Sequence, residues 1–179
     1  MKTKILFLDR DGTLIEEPED FKVDSIEKVK FIPGAISTLQ KIVQQTNFRL
    51  VIVTNQEGLG TAEFPWEKFQ EAQQHMLNIL AQYQIYFDEV LIDRSYEYEN
   101  LPTRKPGTAL VQHYFTQQYD LPNSFMIGDR YTDMQFAQNV GCQGILLLNP
   151  RLAPQPQFAN YAVKNWFEIE ELFYKLKIF

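Results

Sequence analysis

Short unbroken apolar runs alternate with stretches of helical periodicity along almost the whole chain. Ile5-Leu6-Phe7-Leu8, Leu50-Val51-Ile52-Val53, residues 87–92, Ser124-Phe125-Met126-Ile127 and residues 144–148 read as strands buried on both faces. Between them lie amphipathic segments. Over 35–45, Ile36, Leu39, Ile42 and Val43 share one face, and over 66–84, Phe69, Met76, Leu77 and Leu80 point inward. Residues 109–119 and 133–139 predict two more helices, and 166–175 a terminal one packed through Phe167, Ile169, Leu172 and Phe173. Tyr161-Ala162-Val163 predicts an edge strand. Regular alternation of strand and helix predicts an α/β fold, a doubly wound and mostly parallel sheet with helices on both faces. Segments 15–33, 93–106 and 149–160 interrupt the pattern. The first is too long for a plain connector, and the first two are expected to face a ligand. The third, with three prolines, reads as a surface loop.

Composition narrows this picture. A chain of 179 residues suits a single domain over 1–179, and one helix between Thr61 and Phe87 leaves no room for a large cap domain. Hydrophobic content of 45% is ample for a core, while a net charge of -6 argues against nucleic-acid or anionic-membrane partners. The single Cys142 excludes an internal disulfide framework and a multi-cysteine zinc site. The first strand starts too early to leave room for a signal peptide, and no apolar run approaches the roughly 20 residues of a membrane span. A cytoplasmic location is expected.

The polar residues that end the strands carry the candidate chemistry. Asp9, Thr54 and Asp129 each follow directly on an apolar run. In open α/β sheets the carboxyl ends of the strands form the ligand crevice, so three distant stretches are expected to meet there. Asp9 and Asp11 are spaced to project to the same side of an extended chain, and their mutual repulsion invites a hard cation such as Mg²⁺. A carboxylate so held can attack a phosphoryl group, and a second can protonate the leaving oxygen and then activate water. Gly12 allows a sharp turn of the backbone after them. Thr54 and Asn55 offer groups for phosphate oxygens, or form an ordinary turn after a strand. Lys105 can neutralise a transferring phosphoryl group, and Arg104 can fork onto a substrate phosphate or lie on the surface. Asp129 can complete a metal's ligand set. Asp133 can hold Lys105 or a metal-bound water, or cap a short helix. His75 and His113 are expected on helix surfaces or in packing, Cys142 in packing, and Trp66 as the anchor of its helix.

Asp9-Arg10-Asp11-Gly12-Thr13, Thr54-Asn55-Gln56, Arg104-Lys105-Pro106 and Gly128-Asp129-Arg130 with Asp133 resemble, in order and spacing, the motifs of the haloacid dehalogenase superfamily of phosphatases. Glu17-Pro18, Asp20-Phe21, the run from Thr54 to Thr61, Phe64-Pro65 and residues 87–92 are similar to the histidinol-phosphate phosphatases within it. The resemblance implies an Mg²⁺-dependent phosphomonoesterase acting on a small phosphate ester, with histidinol phosphate as substrate and a sugar bisphosphate of the heptose type as the alternative. It implies Asp9 as nucleophile, Asp11 as general acid/base, and Asp9, the Asp11 carbonyl and Asp129 as metal ligands. Thr54 and Lys105 would hold the phosphate, Glu17 would meet the cationic end of the substrate, and Asn55, Gln56 and Arg104 would be further substrate contacts. Many members carry a Cys/His zinc loop ahead of the Arg-Lys-Pro motif. Residues 93–104 contain neither Cys nor His, so no zinc is expected, and Tyr96 and Tyr98 are expected to anchor the loop. In many organisms this enzyme is one half of a bifunctional protein. The resemblance therefore also implies an imidazoleglycerol-phosphate dehydratase partner, fused or separate.

Overall fold

The structure, a computed structural model, describes residues 2–153 and 157–179, so part of the 149–160 segment lies outside the described residues. Strands β1 (Ile5–Leu8), β2 (Arg49–Asn55), β3 (Glu89–Asp93), β4 (Phe125–Gly128), β5 (Gln143–Leu147) and β6 (Tyr161–Val163) form one sheet. Every pairing is parallel and the order is β3-β2-β1-β4-β5-β6. Helices α1 (Ala35–Gln45), α2 (Trp66–Gln82), α3 (Tyr131–Val140) and α4 (Trp166–Lys175) complete the expected doubly wound α/β architecture. No large cap interrupts it among the described residues, since α2 alone of the helices lies between β2 and β3.

Side-chain alternation divides the core into two layers. Leu6 and Leu8 of β1 face α1, α2 and α4, meeting Leu39, Ile42, Met76, Ile169 and Phe173 in one cluster. Ile5 and Phe7 face the other way, into a cluster with Met134 and Phe136 of α3. There Phe7 packs edge-on to Tyr114 and Phe136 at centroid distances of 5.7 and 5.9 Å. Burying each such large side chain contributes about 1.5–3 kcal/mol. Polar links fix the layers as well. Trp166 Nε1 donates to Thr13 O at 2.8 Å, and Thr38 Oγ1 donates to Trp166 O at 3.1 Å, so α4 is tied both to the turn after β1 and to α1.

One predicted helix is corrected. Residues 109–119 do not form an α-helix; a 3-10 segment covers Ala109–Tyr114 only. Its buried residues, Val111 and Tyr114, are three apart, the spacing that a 3-10 helix stacks on one row. Smaller shifts occur elsewhere. β3 runs over 89–93 rather than 87–92, and α3 starts at Tyr131 rather than Asp133 because the Asp133 side chain caps it.

From β1 the chain winds outward one way through β2 and β3, then the other way through β4, β5 and β6. That reversal opens a crevice at the carboxyl ends of β1, β2 and β4.

Candidate active site

The crevice has a volume of about 930 Å³, and Asp9, Asp11, Thr54, Lys105, Asp129 and Asp133 line its floor. Three strands supply it. β1 runs directly into Asp9, Thr54 is the penultimate residue of β2, and Asp129 follows the last residue of β4. Gly12 makes the turn after Asp9 possible for two reasons. Its φ of +78° is left-handed, and a Cβ there would run into the Asp129 carboxylate.

Lys105 enters from the side. The residue is only 4% exposed, and its ammonium lies 2.6 Å from Asp9 Oδ1 and 2.7 Å from Asp133 Oδ1. Burial alone would push the lysine pKa down, but the Asp133 and Asp9 carboxylates outweigh it and the net direction is upward. Lys105 is therefore a permanent cation. Asn55 holds its backbone by a pair of bonds: Lys105 N donates to Asn55 Oδ1 at 3.0 Å, and Asn55 Nδ2 donates to Lys105 O at 3.2 Å. Asp133 pairs with Lys105 and also caps α3, two of the roles read for it. One oxygen pairs with Lys105, and the other accepts from Arg130 N at 3.0 Å at the start of α3.

Asp129 accepts from Asn149 Nδ2 at 2.8 Å on Oδ2, while its buried Oδ1 has no partner. Burial, reinforced by the Asp9 and Asp133 charges, pushes its pKa up to about 8. Burial also raises Asp133, to about 6 against the pull of Lys105. Ligand oxygens of Asp9, Asp129 and Asp133 come within 4.8 Å of one another. An orphaned buried carboxylate oxygen beside like charges, among hard oxygen donors, fits a divalent cation such as Mg²⁺.

Asp11 is gripped on both oxygens. Arg10 Nη1 donates to Oδ1 at 2.7 Å and Gln56 Nε2 to Oδ2 at 2.5 Å. The same Gln56 nitrogen lies 2.8 Å from Thr54 Oγ1, so Gln56 joins the two residues instead of facing a substrate. Arg10 is fully buried, its guanidinium 4.9 Å from the Phe69 ring centroid.

The rim differs more from expectation. Arg130 Nη2 donates to both carboxylate oxygens of Glu17, at 2.6 and 2.7 Å, so an arginine already occupies the anion expected to meet a substrate cation. Arg104 Nη1 donates to Ser95 O and Nη2 to Glu57 Oε2, each at 2.8 Å, closing the 93–106 loop on itself and on the segment after β2. The principal anchor of that loop is Asp93, which accepts from Ser95 N, Ser95 Oγ and Thr103 Oγ1 at 2.9, 2.5 and 2.5 Å. Tyr96 packs against Gly58, but Tyr98 only stacks on Tyr96 and remains 82% exposed; it is not an anchor. A buried acceptor with two lone-pair-bearing oxygens holds several loop donors at once, which an aromatic ring cannot. Arg10, Asp93, Arg130 and Asn149 are the contributors that the sequence reading missed. Arg10 lies between two acids, a usable signal; Asn149 sits in an irregular segment with none.

His113 approaches Glu89 at 3.0 Å and packs on Tyr114, Cys142 is buried with its thiol pushed up to about 12 by burial, and Trp66 packs on Phe69. Among the described residues no helix is long and apolar enough to cross a membrane.

The HAD-hydrolase-like family model matches residues 102–162. Over 148 residues the chain is 50% identical to the histidine biosynthesis bifunctional protein HisB of Spirosoma linguale, covering 82% of this chain and 39% of that protein. The HisB of Campylobacter jejuni subsp. jejuni serotype O:2 is 44% identical over 172 residues, covering 95% of this chain and 45% of that protein. The chain thus spans less than half the length of these curated relatives. Among solved structures, the D,D-heptose 1,7-bisphosphate phosphatase from B. bronchiseptica, complexed with magnesium and phosphate, superposes with a TM-score of 0.82. Identity is 23%, with 97% of this chain and 99% of that one covered, a likeness of fold. A HAD-like phosphatase from Mesorhizobium loti gives a TM-score of 0.81 at 26% identity, with 99% and 87% coverage.

Proposed function

We propose that this chain, which belongs to the haloacid dehalogenase-like hydrolases, is an Mg²⁺-dependent phosphomonoesterase that forms an aspartyl-phosphate and hydrolyses histidinol phosphate. The observation that carries the reading is the convergence of Asp9, Thr54, Lys105 and Asp129 on one crevice, with the Lys105 ammonium 2.6 Å from Asp9.

Each residue's role follows from its partners. Lys105 holds Asp9 Oδ1, which leaves Oδ2 to attack phosphorus. The P–O bond to the leaving group breaks as the Asp9 Oδ2–P bond forms. Asp11 gives a proton to the departing alkoxide, then takes one from the water that cleaves the acyl phosphate. Arg10 and Gln56 keep its carboxylate aimed through both reactions. Thr54 Oγ1 accepts from Gln56, so its own proton is available to a phosphate oxygen. Lys105 neutralises developing charge from a site that excludes water. Asp9, the Asp11 carbonyl and Asp129 would hold Mg²⁺, which when bound supplies Lewis-acid polarisation of the phosphoryl oxygens.

The substrate reading rests on HisB relatives of 44–50% identity. Their greater length supports an imidazoleglycerol-phosphate dehydratase as a fused or separate partner in histidine biosynthesis. Residues 1–179 are then the phosphatase domain, with 15–33 and 93–106 as its substrate-facing loops, and the cytoplasm is its expected compartment. The test is phosphate release with and without Mg²⁺, comparing histidinol phosphate with a heptose bisphosphate. Faster, Mg²⁺-dependent turnover of histidinol phosphate is expected. Preference for the heptose ester would overturn the substrate assignment, and activity unchanged by chelator would overturn the metal.

A further inference from the structure

Phe21 is anomalous on two counts. Its backbone is left-handed, with φ at 58°, a conformation that bulky L residues avoid. Phe21 is also 61% exposed, on the wall of the crevice. Strain and exposed apolar surface coinciding at a cavity mouth point to a ligand contact.

The surrounding chain holds the ring in place. Phe21 N donates to Pro18 O at 3.1 Å, closing a tight turn. Lys28 Nζ then ties the turn from outside, bonding Asp20 Oδ2 at 2.6 Å, Asp24 Oδ1 at 2.8 Å and Lys22 O at 2.9 Å. The other aromatic residues on the crevice wall are committed elsewhere. Tyr96 stacks on Tyr98 at 5.3 Å, and Tyr131 packs on Phe158 at 5.1 Å. Among the described residues Phe21 has no aromatic partner, so its face is open. Glu17 and Asp20 line the same wall but are already paired with Arg130 and Lys28, so what the wall offers a ligand is the open aromatic face of Phe21.

We infer that Phe21 is a specificity-determining residue that stacks a planar ring on the leaving-group side of the substrate. This deepens the phosphatase reading above and rests on it. Phe21 bonds none of the residues that hold the reacting atoms, so it governs binding of the alcohol portion and leaves the chemical step alone.

The experiment compares the parent with Phe21→Asn, which tolerates the left-handed backbone, and Phe21→Tyr, which keeps a ring. Each is assayed in Mg²⁺ with histidinol phosphate and with glycerol 1-phosphate, which has no ring. Phe21→Asn should raise KM for histidinol phosphate about tenfold with kcat within about twofold, and should leave kcat/KM for glycerol 1-phosphate unchanged. Phe21→Tyr should restore the parent KM. An unchanged KM in Phe21→Asn, or an equal loss on both substrates, overturns the role of Phe21. If the parent does not turn over histidinol phosphate, the substrate reading fails separately. The same variants on p-nitrophenyl phosphate against glycerol 1-phosphate then decide whether Phe21 selects for a ring: a loss confined to the ring-bearing ester upholds it, and equal effects overturn it.

Discussion

Replacing Asp129 with an asparagine should make the metal-free protein more stable while destroying its function. In the absence of a cation Asp129 is a buried acid with an unpartnered Oδ1 and like charges on Asp9 and Asp133 beside it. Its carboxyl keeps its proton up to about pH 8, whereas in the unfolded chain it loses it near 3.8. Between those values the folded state binds a proton that the unfolded state does not. Stability from this group therefore falls as pH rises: the penalty is absent below about 3.8 and complete above about 8. At pH 7 the gap amounts to about 4 kcal/mol at about 1.36 kcal/mol per pH unit. The amide introduced by the substitution cannot ionise and can still accept from Asn149. With some of the gap relaxed by neighbouring groups, Asp129→Asn should gain about 2–4 kcal/mol at pH 7, an upward Tm shift of roughly 4–16 °C. The assay is thermal unfolding in EDTA from pH 4 to 8.5, repeated with excess Mg²⁺. The variant's advantage should grow with pH in EDTA and shrink with Mg²⁺, which should raise the parent's Tm and leave the variant's unmoved. A variant less stable than the parent at pH 7–8 in EDTA would refute the argument that this acid is unsatisfied without a cation.

Three further outcomes are expected. Asp9→Asn should lower phosphate release by at least about a thousandfold while far-UV circular dichroism stays unchanged, since the proposed nucleophile is lost and a neutral amide remains beside Lys105; parent-level turnover would reassign the nucleophile. Gln56→Leu should reduce kcat about 10- to 100-fold with little change in KM, because Asp11 loses the donor to Oδ2 that orients it; a rise in KM alone would make Gln56 a substrate contact after all. Asn55→Ala should cost about 1–3 kcal/mol in urea unfolding, since it removes both bonds that seat Lys105's backbone, and kcat should fall with it; stability within about 0.5 kcal/mol of the parent would show that the loop is seated by other means.

Legibility in the sequence followed the physics of each feature. The buried strands were plain because parallel strands covered on both faces need continuous apolar runs, and 5–8 and 50–53 are such runs. The rim residues were plain for a related reason: an acid or hydroxyl directly after such a run must emerge at the sheet's edge, as Asp9, Thr54 and Asp129 do. Pairing of side chains across the fold was not readable. The periodicity of 109–119 cannot separate an α-helix from a 3-10 turn whose buried residues are three apart. The Glu17–Arg130 and Asp93–Thr103 pairs join residues whose proximity is set by crossovers and loop shape. Asn55 and Gln56 read as substrate contacts, but a strand-end amide can also bond within the protein, as Asn55 does to the Lys105 backbone and Gln56 to Asp11.

The Asp93 staple also has a practical side. The arm that carries the Lys105 ammonium is clasped by oxygen and nitrogen atoms of the polypeptide itself, through Ser95, Thr103 and Asn55. Chelation should therefore leave that arm where it is. Activity lost on stripping ions, and regained on restoring them, then reports on the carboxylate nest under the crevice alone, which makes a simple back-titration with different divalent ions a clean ruler of that nest's selectivity.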